Sequence, residues 1–482
     1  MRIYIFLIAA ATIVLGFALF VFDRESQLEH TDAIRSHRLA NGMKILVVES
    51  HHAPVVVSQV WYKVGGSYEH DGITGISHVV EHMMFKGTPK YSAGVFSEII
   101  SANGGRENAF TGKDYTAYFQ QIASDRLELC LSMEADRMRN LLLDEEEFKK
   151  EIEVIKEERR LRTDDVPTSL TYERFNAMAY VNSPYRQPII GWMEDLDSMN
   201  IKNLRDWYGK WYAPNNATLV VVGDVKAEDV FALAKKYFGP LTVAVIPEAK
   251  PRYEVEQYGL QRMTLQLPAS ISFLVMGYKT PVLKSAPEKW EAYALEVLSG
   301  LLDGGYSARL TRNLVRGKQL ASSVGASYDL YARHNSMFTF SAVPAEGKTV
   351  DELESAIKEE IKAIQESAPE QKELDRVIAQ VVASSVYEQD SSFYRAMQIG
   401  MLETAGLGWQ TKDEYVERIK SVTAEQVQIV ARKYLIDKSL SIAVLDPLPI
   451  EVMPEQKQPE QGQVELKKSE QKAEAAGGKH GQ

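Results

Sequence analysis

Gly72-Ile73-Thr74-Gly75-Ile76-Ser77-His78-Val79-Val80-Glu81-His82-Met83-Met84-Phe85-Lys86-Gly87-Thr88 is the stretch from which the rest of the chain is read. Thr74 or Ser77 is a candidate cap for a helix running through Phe85, with Gly87 as its stop. On that helix His78 and His82 are four residues apart. They share one face, ~6 Å apart along the axis, so both imidazoles can reach one metal ion. Glu81 lies ~60° around the helix from His78, near enough to address a water on the same ion.

Working outward, the ion needs a third protein ligand. The chain has one cysteine, Cys130, which excludes an intramolecular disulfide and any multi-cysteine metal site. His70, in a Gly/Asp-rich turn, and His51, His52 and His334 read as turn or loop residues, which turns the search to carboxylates. The long helix expected over Asp144–Arg162 offers several. Its apolar stripe is Phe148, Ile152, Ile155 and Leu161, with Val154 beside it. Glu151 and Glu158, two turns apart, flank this stripe, while Glu153 and Glu157 point toward solvent. A carboxylate beside a buried stripe needs a partner, and a cation is one; a charged outer face is the other reading.

The whole chain is 482 residues, 45% hydrophobic and 25% charged, which is a globular balance. Its net charge of −11 gives no basic face for nucleic acid. Ile3 to Phe22 carry no charged side chain, and this run is long enough to span a bilayer. Residues 1–24 therefore read as a membrane anchor or signal peptide. Cleavage after Gly16-Phe17-Ala18 would leave Leu19–Phe22 as an apolar new terminus, which favours the anchor. Arg2 before the run and Asp23 after it place the bulk of the chain on the non-cytoplasmic side. Residues 454–482, rich in Gln, Glu, Lys, Gly and Ala, read as a disordered tail.

Between these ends a duplication is legible. Asn200–Leu204 through Lys210-Trp211-Tyr212 and Asn216–Val222 repeats, 223 residues later, as Thr423–Val427 through Lys433-Tyr434-Leu435 and Ser439–Leu445. Each copy is a capped amphipathic helix, a short break and an apolar strand. Pro240, Pro247 and Pro251 mark the join. The division is a lobe over residues 34–241, a linker over 242–252 and a second homologous lobe without a metal site over 253–448. Strands such as Met43–Val48, Val55–Val64 and Phe338–Val343 mix irregularly with helices such as Val350–Ser367. The expected class is α+β, two homologous α/β-sandwich lobes, rather than a doubly wound parallel sheet.

His78-Val79-Val80-Glu81-His82 is H-x-x-E-H, the inverse of the common zinc-protease motif. In its setting G-x-x-G-x-x-H-x-x-E-H-x-x-F-K-G-T it closely resembles the pitrilysin/insulinase family of zinc peptidases. The nearest look is the branch of the mitochondrial processing peptidase and its bacterial relatives, and the likeness runs over about Ile34 to Leu448. The resemblance implies half of a clamshell, with His78 and His82 binding Zn2+ and Glu81 as general base. The family's E-x-x-V-x-x-x-E fits Glu151-Ile152-Glu153-Val154-Ile155-Lys156-Glu157-Glu158 and selects Glu158 as third ligand. It assigns Glu151 to the catalytic apparatus as a second carboxylate near the metal. Gly104–Thr111 resembles the family's active-site edge strand, in which Asn108 and Ala109 would line a bound peptide.

One segment departs from the pattern. Gly304–Val324 resembles the family's R-L-x-x-x-[IL]-R-x-x-x-x-L-x-Y-x-V, but Val315 and Ser322 stand at the Arg and Tyr positions. Shifting by one brings Arg316 to the Arg position and still leaves no Tyr. The expectation is a zinc-dependent endopeptidase of peptides or unfolded polypeptides, working as a homo- or heterodimer whose paralogous subunit supplies the missing pair. It would sit on the periplasmic side of the inner membrane, anchored or soluble. A catalytically silent scaffold of the same family, like the core subunits of respiratory cytochrome reductases, is the alternative; the intact set His78, Glu81, His82, Glu151 and Glu158 argues against it.

Overall fold

The computed structural model describes residues 33–248 and 252–450. The proposed anchor and tail lie outside them. Among the described residues no helix is long and apolar enough to cross a membrane.

The chain forms two mixed sheets. The first contains β1 (Arg35–Arg38), β2 (Lys44–Glu49), β3 (Val55–Tyr62), β4 (Arg106–Thr111), β5 (Thr116–Ala123) and β6 (Ala217–Gly223) in the order β1-β2-β6-β3-β5-β4. The second contains β7 (Gln261–Pro268), β8 (Phe273–Thr280), β9 (Ala321–Ser327), β10 (Ser336–Pro344) and β11 (Leu440–Leu448) in the order β7-β11-β8-β10-β9. The parallel pair β2–β6 in the first matches the parallel pair β7–β11 in the second, and the remaining pairs in both are antiparallel. Only β1 lacks a counterpart. The 223-residue offset holds residue for residue near the end of each half. Helices Ile201–Trp211 and Ala424–Tyr434 both start from capping boxes, at Asn200 and Thr423, and lead into β6 and β11. The two halves are thus homologous α/β sandwiches.

The central strands are apolar without alternation, which requires cover on both faces. Along β2, Ile45 and Val47 enter the core beneath the first half's own helices, while Leu46 and Val48 enter a separate cluster on the opposite face. That second cluster is closed by Ala396 and Ile399 of helix Ser392–Ala405, which belongs to the second half. The converse also holds. Phe175 and Ala179 of the first half's helix Pro167–Ala179 pack against Phe273, Val275, Ala443 and Leu445 of the second sheet. Each half lends the other a helix. Glycine permits both approaches: a Cβ on Gly400 would lie 2.1 Å from Trp61 Cε2, and one on Gly277 would lie 2.7 Å from Phe175 Cζ.

Residues 242–248 and 252–260 form neither helix nor strand. Within the second stretch Glu254 is fastened to the first half, accepting from the backbone N–H groups of Val181, Asn182 and Ser183 while pairing with Lys279 at 2.6 Å.

Two local expectations are corrected. The motif helix spans Ile76–Met83, and neither Thr74 nor Ser77 caps it. Its N-cap is Gly75, and the carboxylate of Glu69 takes over, accepting from Gly75 N at 2.7 Å and Ser77 N at 2.8 Å. The glutamate-rich helix spans Glu145–Arg159 and then widens into a π-turn over Arg160–Asp164. Leu161 is 62% exposed and Val154 52% exposed, because at ~100° per residue they fall ~140° and ~120° around the axis from Phe148, off the buried stripe. Phe148, Ile152 and Ile155 are buried as the stripe requires.

Candidate metal centre

The motif helix packs beside the glutamate-rich helix and the edge strand β4, and the candidate residues from all three meet there. The His78 and His82 rings lie 4.6 Å apart, inclined at 71°. Both turn Nε2 toward Glu158 Oε2, at 3.7 Å from His78 and 3.4 Å from His82. One donor atom from each of the three residues lies within 4.8 Å of the other two, the one such His/Cys/Asp/Glu grouping among the described residues. Ligands of a tetrahedral ion bound at 2.0–2.1 Å sit roughly 3.3 Å apart. The two histidine–carboxylate separations are therefore close to what an ion would impose.

The donor chemistry fits zinc as well. Burial pushes the His78 imidazolium down to about 3, with His82 and Arg162 adding to the effect, so His78 is neutral and has a lone pair to give. Two imidazoles and one carboxylate would leave a site charge of about +1 around a divalent ion. Arg162 pairs with Glu158 Oε1 at 2.8 Å and leaves Oε2 facing the histidines.

Glu151 is near the cluster but not in it. Its Oε1 takes a 2.9 Å hydrogen bond from His82 Nδ1, and its Oε2 pairs with Lys86. Burial alone would raise its pKa, but the bonds from His82 and Lys86 prevail and hold the carboxyl below its ordinary value. An ionised Glu151 fixes the proton of His82 on Nδ1 and frees Nε2, the usual second layer of a metal-bound histidine.

Glu81 projects into the same cleft, a space of about 420 Å³ lined also by His78, Glu158, Ala109 and Thr111. Burial raises its carboxyl above the ordinary range, against a hydrogen bond from the Thr111 hydroxyl. β4 pairs with β5 alone, so its outer edge is open. Ala109 lines the cleft, whereas Asn108 is exposed on the next step of the pleat and folds its Oδ1 back to accept from Ala109 N at 2.9 Å. In the second half, Ser322 lies exposed on β9, and Val315 sits in a π-turn over Thr311–Gly317. Arg316 is engaged locally, its guanidinium 3.8 Å over the Tyr306 ring and bonded to Tyr306 O.

Three residues that the sequence did not single out complete the surroundings. Glu69 anchors the start of the motif helix. Thr111 holds Glu81. Arg159, next to Glu158, is buried in a two-point contact with Glu173 at 2.7 and 2.9 Å and reaches Gly191 O at 2.8 Å, so the helix end that carries Glu158 is fixed. A buried arginine paired fourteen residues on leaves no periodic signal; Thr111 could have been suspected from its place two residues after Ala109.

A two-sheet chain with an H-x-x-E-H helix and a carboxylate from a second helix converging on one ion-sized gap is of the zinc-protease class. Residues 44–191 match the family profile described as insulinase (peptidase family M16), and residues 198–381 match the one described as peptidase M16 inactive domain. The chain is 33% identical to the zinc protease PqqE of Helicobacter pylori over 73% of its own length and 80% of the relative's. It is 27% identical to the uncharacterized zinc protease YmxG of Bacillus subtilis over 86% and 98%. A solved protease from Helicobacter pylori superposes with a TM-score of 0.82 at 31% identity, over 86% of this chain and all of that one. The periplasmic protease PqqL from Escherichia coli shares the fold, with a TM-score of 0.73 at 19% identity, over 86% of this chain but 48% of PqqL. The chain belongs to peptidase family M16.

Proposed function

We propose that this chain is a zinc endopeptidase that hydrolyses peptides or unfolded polypeptides. The observation that carries the reading is the convergence of His78, His82 and Glu158 at one gap, with Glu81 projecting into the same cleft beside an open strand edge. His78, His82 and Glu158 would hold the ion, and Glu151 with Lys86 would keep His82 in the ligating tautomer. Bound zinc supplies Lewis acidity and an acidified water. An extended substrate adds to the free edge of β4, its backbone bonding to the strand where Asn108 and Ala109 lie. Glu81 accepts the proton of the attacking water and delivers it to the leaving amine. Burial raises its pKa, which makes the carboxylate a stronger base toward the water.

The chain is proposed to act as the zinc-bearing member of a pair, on the periplasmic side of the inner membrane. Val315 and Ser322 at the Arg and Tyr positions support a partner that supplies those groups. So does the match to about half of PqqL, a length that leaves room for a second unit of this size. The charge-free run Ile3–Phe22 supports export. The same missing pair is the one observation favouring the alternative, a silent scaffold subunit.

The test is hydrolysis of a mixed fluorogenic peptide pool by the zinc-loaded full chain beside Glu81→Gln. Turnover that vanishes in the variant establishes the peptidase, and turnover without any partner removes the need for one. Zinc bound at one per chain with no turnover, alone or with the paralogous subunit, supports the scaffold and overturns the peptidase.

A further inference from the structure

Glu81 has one hydrogen-bond partner among the described residues, and it comes from outside the motif helix. The Thr111 hydroxyl donates to Glu81 Oε2 at 2.5 Å. Thr111 is the last residue of β4 and faces Thr116 across the β4–β5 turn. Ala109 and Thr111 are two apart on the strand, so their side chains leave the same face, and both line the cleft. The bond therefore joins the carboxylate that would act as base to the strand on which a peptide would lie.

A carboxylate on a glutamate turns easily about its last torsion, which is broad and roughly two-fold. Fixing one oxygen removes that freedom. With Oε2 held by Thr111, Oε1 accepts no hydrogen bond from any described residue and is the oxygen left to meet a water.

We propose that Thr111 is a positioning residue for hydrolysis: its hydroxyl aims Glu81 Oε1 at the attacking water and makes that aim depend on the placement of β4, and so on a peptide docked along it. This deepens the peptidase reading and rests on it. A strand seated by substrate carries Thr111 with it, and Thr111 carries the carboxylate. The ligand cluster is untouched, because among the described residues the Thr111 hydroxyl bonds to Glu81 and to neither histidine nor Glu158.

The variants are Thr111→Val, which keeps the shape and removes the hydroxyl, and Thr111→Ser, which keeps the hydroxyl. Thr111→Ala serves as a second hydroxyl-free form should valine disturb folding. Each is made in the zinc-loaded full chain and measured for kcat, KM, zinc content and affinity for a peptidyl phosphonate, which mimics the tetrahedral geometry without turning over. The expected result for valine is a kcat about 10–100-fold lower, the range for one hydrogen bond to a charged group, with KM and zinc content unchanged. Phosphonate affinity should fall in parallel, and serine should stay within about threefold of the parent chain. A purely structural Thr111 would instead move KM, thermal stability and zinc content together. Valine within twofold of the parent, or serine as damaged as valine, overturns the proposal while leaving the peptidase standing. A parent chain that neither cleaves peptides nor binds the phosphonate overturns both.

Discussion

Replacing Glu151 by alanine removes two contacts at once: the 2.9 Å bond from His82 Nδ1 and the pairing with Lys86. Neither contact is to the ion's own position, so the variant keeps all three proposed ligands. What changes is the state of His82. With its acceptor gone, the proton can sit on either nitrogen and the ring can turn, and each alternative presents less lone pair toward the cluster. Removing such an outer partner lowers metal affinity by 10–100-fold, about 1.4–2.7 kcal/mol. The geometry places Glu151 toward the upper end, because its side chain is 10% exposed and little water can substitute for it. Competition against a chromophoric chelator gives the zinc Kd without reference to turnover, and Glu151→Gln, which keeps an acceptor oxygen, should lose less than alanine. An unchanged Kd in Glu151→Ala would refute the argument that this carboxylate sets the tautomer. A loss as complete as that of His82→Ala would refute it differently, making Glu151 a ligand in its own right.

Two further outcomes follow from the packing. Burial raises the Glu69 pKa to about 7 against the pull of the Ser77 and Gly75 N–H groups, from an ordinary value of 4.5. The folded chain then binds more protons than the unfolded one between those values, so this group's contribution to stability is full below pH ~4.5 and is lost as pH rises through 7, by up to about 3 kcal/mol. Comparing thermal melts of the metal-free chain with Glu69→Gln from pH 5 to 8 should show the parent losing ground; a constant difference would contradict it. Gly400→Ala sets a methyl 2.1 Å from Trp61 Cε2 and should destabilise the fold by about 1–3 kcal/mol. Trp61→Leu in the same chain should recover part of that loss, and strict additivity in denaturant unfolding would refute the contact.

The site was legible where its chemistry is local. Two histidines and a glutamate within five residues fix each other's directions through helix geometry alone, and a duplicated capping box marks each half near its end. Contacts between distant segments leave no such trace. The apolar stripe of Ser392–Ala405 says that a helix buries something; it does not say that the object is Trp61 of the other half. The same blindness explains Glu69, which caps a helix from six residues upstream of Gly75, where no capping pattern looks. Leu161 failed for a different reason: at ~100° per residue it falls ~140° around the axis from Phe148, so it never shared the periodicity of the buried Phe148, Ile152 and Ile155.

The exchange of helices bears on why a second half outside the His78, His82 and Glu158 cluster matters to that cluster. Leu46, Val48, Val57, Val220 and Val222 are all fully buried on the face of the first sheet that Ser392–Ala405 covers. At ~1.5–3 kcal/mol for each such side chain, the cover contributes on the order of 10 kcal/mol. That is comparable to the net stability of a whole domain. β4 and the motif helix are built onto this same sheet, so the placement of Thr111, Glu81 and the proposed ligands depends on a face that the second half helps to close. The second half can lack every proposed ligand and still be required by the site in the first.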